Sequence, residues 1–274
     1  MASAVVLCLL CLCPLCINPL RQRPACKRTS MILGQFYKRP YRGTDLRKRC
    51  GCSPILASLP TLSRWAILAA MLYVLLVLGG YLLGSVPTGF LVGQAWGVDI
   101  RGVGSGNIGM ANVLRSVGKL PAAITVLGDM LKGFLPVVVA QVLAENEWAV
   151  AAVALAAVLG HCWPIFLKFK GGKGVATGAG TSIGLAPVVG LALFAFWWAV
   201  VLTTRYTSLG AISVMVVSPL AFLVTGQPAP YILYTIIGGA LVLWRHRENA
   251  RALVEGTERK IGQRAKAKGN TRVG

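Results

Sequence analysis

Trp65-Ala-Ile-Leu-Ala-Ala-Met71-Leu-Tyr-Val-Leu-Leu-Val-Leu-Gly79-Gly80-Tyr-Leu-Leu-Gly84-Ser-Val-Pro87-Thr-Gly-Phe90 contains no charged side chain. A helix of roughly 20 apolar residues crosses the ~30 Å hydrocarbon core of a bilayer. Comparable runs extend from Leu120 to Ala144 and from Leu185 to Thr203. The whole chain is 55% hydrophobic and 13% charged, whereas a soluble domain carries about 25% charged residues. These runs predict an all-α, polytopic membrane helix bundle.

Working outward, the apolar pattern predicts helices over 65–94, 119–143, 147–168, 174–204, 207–225 and 229–245. Polar, basic connections at 97–119, at 168–173 and from Arg245 onward belong together in the cytoplasm by the positive-inside rule. Three apolar segments between Lys173 and Arg245 cannot return the chain to its starting side. Gly178, Gly180, Gly184 and Pro187 interrupt the longest of them, so 174–204 reads as two pieces, giving seven transmembrane helices. Five full crossings with a re-entrant piece is the other arrangement, and the range is five to seven. Small residues let membrane helices approach closely, a role expected of Gly79-Gly80 and Gly238-Gly239.

Charge and cysteine usage divide the chain. Lys and Arg number 28 against 8 Asp and Glu, a net charge of +20. The cations flank apolar runs and no nucleic-acid-binding motif accompanies them, so no nucleic-acid partner is expected. Seven of the eight cysteines fall within the first 52 residues. Their spacing is not that of a zinc site, and no metal or other cofactor is expected. The sequence divides into a basic, cysteine-containing extension over 1–62, a membrane domain over 63–262 and a basic tail over 263–274. The extension has its positive residues after the apolar stretch Ala4–Leu20, the reverse of a secretory signal. It is expected to be disordered or dispensable, with Met71 as a workable start.

Polar residues concentrate in three segments. The first contains Asp99-Ile-Arg101-Gly-Val-Gly104-Ser105-Gly106-Asn107-Ile-Gly109-Met-Ala-Asn112-Val-Leu-Arg115. Its glycine spacing matches a dinucleotide fingerprint only formally, because a membrane helix precedes it instead of a strand. A glycine-rich turn entering a helix still presents N–H groups to an anion, and Arg101 and Arg115 can fork onto phosphate. A flexible solvated loop is the alternative. The second segment is Gly160-His161-Cys-Trp-Pro-Ile-Phe-Leu-Lys168-Phe-Lys170-Gly171-Gly172-Lys173-Gly174-Val-Ala-Thr177. It lacks the Gly-Lys-Ser/Thr ending of a nucleotide-binding loop. Snorkelling explains its lysines, but not the glycines between them. The third is Trp244-Arg245-His246-Arg247-Glu248-Asn249, continuing to Glu258 and Ile261. On a helix His246 and Asn249 share a face; a basic tail lying on anionic lipid is the alternative. Asp129 and Lys132 lie inside an apolar helix, where charge is costly unless paired or functional. At i and i+3 they can pair with each other.

The three segments, in this order from Leu83 to Gly262, resemble the bacterial acyl-phosphate:glycerol-3-phosphate acyltransferase family. The resemblance implies transfer of a fatty acyl group from an acyl phosphate to the sn-1 hydroxyl of glycerol 3-phosphate. The products would be lysophosphatidic acid and phosphate, formed at the cytoplasmic face of the cell membrane in phospholipid biosynthesis. Its partners would be glycerol 3-phosphate, fatty acyl phosphate and membrane lipid. By position, Ser105, Asn107, His246 and Asn249 would belong to the catalytic set. Arg101, Gly104, Gly106, Arg115, Gly171, Gly172, Lys173, Gly174 and Thr177 would bind substrate, with Arg115, Lys173 and Asn249 on phosphate. Glu258 would close the third segment structurally. The family usually has Ala-Thr where this chain has Met110-Ala111, so one hydroxyl is missing. An acyl phosphate is already activated, so positioning and charge stabilisation suffice without a strong nucleophile. Both His246 and the substrate's own phosphate are candidates for the base. A transporter of an organic phosphate is the alternative reading; it would place its site near the bilayer midplane.

Overall fold

The computed structural model describes residues 60–263. Residues 1–59 of the expected extension, its cysteines and nearly all of the tail therefore lie outside the described residues, while its last three residues begin the first helix. The chain divides into compact units at Ala66/Ile67, and apart from the helical residues 60–66 everything below concerns the second unit.

Among the described residues all secondary structure is helical: α1 (Pro60–Gly84), α2 (Thr88–Ala95), α3 (Met110–Ser116), α4 (Lys119–Leu143), α5 (Glu147–Cys162), a 3-10 turn (Ile165–Leu167), α6 (Val175–Leu185), α7 (Pro187–Thr204), α8 (Thr207–Val224), α9 (Ala229–Arg245) and α10 (Arg247–Val254). Five candidate spans are long and apolar enough to cross a membrane: Ala66–Ala95, Lys119–Leu143, Glu147–Leu167, Pro187–Thr204 and Thr207–Val224. α9, with 17 residues, is slightly shorter. α6, with 11 residues, is only about 16 Å long and cannot span alone. The outcome lies within the expected five to seven.

The break in the long segment falls at Ala186, which is extended (φ −148°, ψ 88°) before Pro187 at the start of α7. Proline disfavours helical backbone in the preceding residue. The chain reverses there, and Gly190 packs on the backbone of Ile183. α7 then returns to the end where the third segment lies, because Ile261 N–H donates to the Arg205 carbonyl at 2.8 Å. An even number of segments thus separates Lys173 from Arg245.

Two expected details differ. The first helix is broken at Ser85-Val86-Pro87, where proline again interrupts it before α2. The connection 97–119 contains the short helix α3, with Arg115 in its last turn. Of the expected glycines, Gly80 packs on the Val153 backbone and Gly239 on the Met215 carbonyl, and close helix approach also uses others. Gly79 has open space beside it, whereas Gly84 and Gly160 bring the backbones of α1 and α5 together, and Gly133 and Gly180 do the same for α4 and α6. The Asp129–Lys132 pair does form, at 2.8 Å and buried. Lys132 also donates to the Val86 carbonyl at 2.7 Å, in the break between α1 and α2.

Candidate active site

The first segment is organised by a residue that sequence reasoning did not single out. Asn112, buried on α3, accepts the Ser105 N–H at 3.0 Å and donates to the carbonyls of Ile100 and Val103 at 2.9 and 3.0 Å. One amide side chain therefore folds the glycine loop around itself. Gly104 and Gly106 sit at φ 64° and 72°, a region glycine occupies without the steric cost other residues incur. The Asn107 N–H approaches Ser105 Oγ at 3.4 Å.

The second segment turns through Lys168 and Phe169, both at positive φ, then runs along the end of α5. The Gly172 N–H donates to the His161 carbonyl at 3.1 Å. A Cβ on Gly172 would collide with the His161 imidazole. Gly174, at φ 86°, leads directly into α6. Between these glycines the Lys173 ammonium donates to Asn249 Oδ1 of the third segment.

The third segment completes a polar network. Asn249 Nδ2 donates to Glu258 Oε1 at 2.9 Å, and Ser208 Oγ at the start of α8 donates to the same oxygen at 2.7 Å. Arg115 donates to the Arg259 carbonyl at 3.0 Å, while its buried Nε has no partner among the described residues. His246 is buried, with Nδ1 2.8 Å from the Val242 carbonyl. That contact favours the tautomer with hydrogen on Nδ1 and a lone pair on Nε2.

These groups border one cavity of about 180 Å³. Ser105, Asn107, Arg115, Lys173, Gly174, His246 and Asn249 all line it, joined by Glu258 and Ser208. On α8 the lining continues from Thr207 to Ser218, about 16 Å along the axis. Leu193, Phe194 and Trp197 of α7 make the wall beyond the polar end apolar. The lining does not include Arg101, Gly104, Gly106, Gly171, Gly172 or Thr177. Arg101 is exposed, pairs with Asp99 at 2.6 Å and stacks over Phe90. Thr177 is sealed between helices, and its carbonyl packs against Gly133.

Burial sets the electrostatics of the polar end. It pushes the Lys173 ammonium below its ordinary pKa, a shift opposed by Glu258. Arg115 is shifted the same way by the same cause, again opposed by Glu258. Burial lowers His246 to about 4, so it is neutral at pH 7. Arg115, Lys173 and a neutral imidazole surround Glu258, and the other carboxylate of the lining, Asp129, is paired with Lys132, which leaves an excess of positive charge for an anion.

The chain's similarities agree with this geometry. Residues 74–256 match the glycerol-3-phosphate acyltransferase family. A glycerol-3-phosphate acyltransferase of Rubrobacter xylanophilus is 70% identical over 195 residues, covering 71% of this chain and 98% of the relative. One from Thermus thermophilus is 45% identical, covering 69% and 94%. Two solved structures of PlsY (YgiH), an integral membrane glycerol 3-phosphate acyltransferase, are similar in fold. The glycerol 3-phosphate form has TM-score 0.67 and 40% identity over 69% of this chain and 96% of that one. The lysophosphatidic acid form has TM-score 0.66 and 39% identity over 69% and 95%. The chain is a multi-pass membrane protein and belongs to the glycerol-3-phosphate acyltransferase family.

Proposed function

We propose that the protein transfers a fatty acyl group from an acyl phosphate to the sn-1 hydroxyl of glycerol 3-phosphate, giving lysophosphatidic acid and inorganic phosphate. The observation that carries this reading is one cavity with Arg115, Lys173 and Asn249 at a polar end and an apolar wall formed by α7. Such a cavity suits a soluble phosphate and a lipidic acyl donor together. The two PlsY forms carry names of the matching substrate and product, which supports the same assignment here.

The hydroxyl oxygen attacks the acyl carbonyl carbon, the carbon–oxygen bond to phosphate breaks, and phosphate departs with the electron pair. Phosphate is a good leaving group, so the protein's task is orientation and charge stabilisation. Arg115 and Lys173 hold phosphate oxygens, and Ser105 and Asn107 line the approach. The hydroxyl proton passes to His246 Nε2 or to a phosphate oxygen. The cavity's polar end faces the cytoplasm of the cell membrane, in keeping with the basic residues of all three segments.

The test is purified protein supplied with labelled glycerol 3-phosphate and either palmitoyl phosphate or palmitoyl-CoA, with EDTA present. Labelled lipid is expected from palmitoyl phosphate without metal or nucleotide. Product from palmitoyl-CoA alone, or an absolute need for magnesium or ATP, overturns the donor assignment.

A further inference from the structure

The tightest grip on the second segment comes from a side chain outside the cavity lining. Arg245, at the end of α9, donates through Nε to the Gly172 carbonyl at 3.2 Å and through one terminal nitrogen to the carbonyls of Gly172 and Gly171 at 2.7 and 3.0 Å. Its guanidinium carbon lies 5.6 Å from the centre of the Trp163 ring, and Trp163 packs on Trp244 at 6.1 Å. The opposite side of the same peptide is fixed by His161. Its carbonyl accepts the Gly172 N–H at 3.1 Å, and its ring occupies the space a Cβ at Gly172 would need. The Gly171–Gly172 backbone is thus held from both sides, and the next residue is Lys173. The third segment also reaches Lys173 directly through Asn249.

We infer that Arg245 is a positioning residue for the substrate phosphate: it fixes the Gly171–Gly172 peptides and so sets where the Lys173 ammonium stands in the cavity. This rests on the reading of Lys173 as a phosphate ligand. A planar fork can satisfy two adjacent carbonyls, whereas a lysine ammonium is a point donor on a flexible stem. Without the clasp the two glycines, the least restrained residues in a chain, are tethered only at His161, and Lys173 samples other directions.

The experiment is steady-state kinetics for glycerol 3-phosphate in Arg245→Gln, Arg245→Lys, Lys173→Ala and the Arg245→Gln/Lys173→Ala double variant. Arg247→Gln serves as a control: it removes an equal charge from an exposed arginine that stacks on Trp244. Arg245→Gln is expected to raise KM about tenfold, the value of one charged hydrogen bond, with kcat changed by less than about twofold, because binding and not chemistry is lost. Arg245→Lys should recover part of that loss, and Arg247→Gln should match the wild type. The double variant should be no worse than Lys173→Ala within about twofold, the usual margin of additivity, because Arg245 has nothing left to position. Should Arg245→Gln fail to fold, the same cycle is run with Arg245→Lys. An unchanged KM in the Arg245 variants, losses that multiply in the double variant, or an equal loss in Arg247→Gln each overturns the inference. A normal KM in Lys173→Ala overturns the phosphate-ligand reading itself, and the inference with it.

Discussion

Arg115 and Lys173 stand at the polar end of the cavity, held there by partners they would share with a bound phosphate. Replacing either with alanine is expected to lower kcat/KM more than tenfold, since a charged hydrogen bond contributes about 1.5–3 kcal/mol. Near-normal kinetics in a folded variant removes that residue from the site. His246 gives a pH signature. Burial lowers its pKa to about 4, so the folded state prefers the neutral ring. The associated stability is complete above the unfolded value of about 6.5 and is lost as pH falls toward 4. If Nε2 takes the proton, kcat should hold through pH 6 and fall only near 4, and His246→Gln should remove about 10²-fold or more. An acid limb near 6, where phosphate itself titrates, that persists in His246→Gln assigns the proton to substrate. The sequence marked both Arg101 and Arg115 as phosphate forks, because residue type and glycine context are the same for each. Helix α3 separates them: it carries Arg115 to the cavity, while Arg101 stays with Asp99. Asn112 was legible only as one more polar residue, since its three backbone partners lie up to twelve positions away.

At the level of elements, α4 was predicted over 119–143 and observed over Lys119–Leu143, because its long apolar run has a clear end on each side. The break at Ala186 was legible in Pro187 and the glycines before it. The break at Val86-Pro87 was not, because apolar residues continue on both sides of it. The buried charges of α4 depend on each other. His161 Nδ1 lies 3.6 Å from Asp129 Oδ1, the same oxygen that pairs with Lys132 at 2.8 Å. Asp129→Ala leaves Lys132 buried without its counter-charge and is expected to cost about 3–5 kcal/mol. Replacing both, as Asp129→Leu with Lys132→Met, should recover most of that loss. Thermal denaturation in detergent reads both. Equal stability of Asp129→Ala and the wild type would show that the pair does not support the α4–α1 junction at Val86.

At the scale of the molecule, the residues that make the cavity all lie within 105–258, and the family match spans 74–256. The extension over 1–62 is therefore expected to be dispensable for acyl transfer. Proteins starting at Ser63 and at Met71 should insert and retain the specific activity of the whole chain. Activity from Ser63 alone would show that the beginning of α1 is needed; inactivity of both would assign the extension a function. The membrane class was legible at this scale because apolar run length has no soluble explanation. The convergence of three segments on one cavity was expected only through family resemblance, since the contacts that join them, such as Lys173 to Asn249, cross 76 positions.

The central claim is that these segments form one site that exchanges phosphate for a hydroxyl on an acyl group. Its most direct test counts both products in one reaction of purified protein with palmitoyl phosphate and labelled glycerol 3-phosphate. One inorganic phosphate should be released for each lysophosphatidic acid formed, and both should fall together in Lys173→Ala. Phosphate release without matching lipid, or lipid formation undiminished in Lys173→Ala, would contradict it.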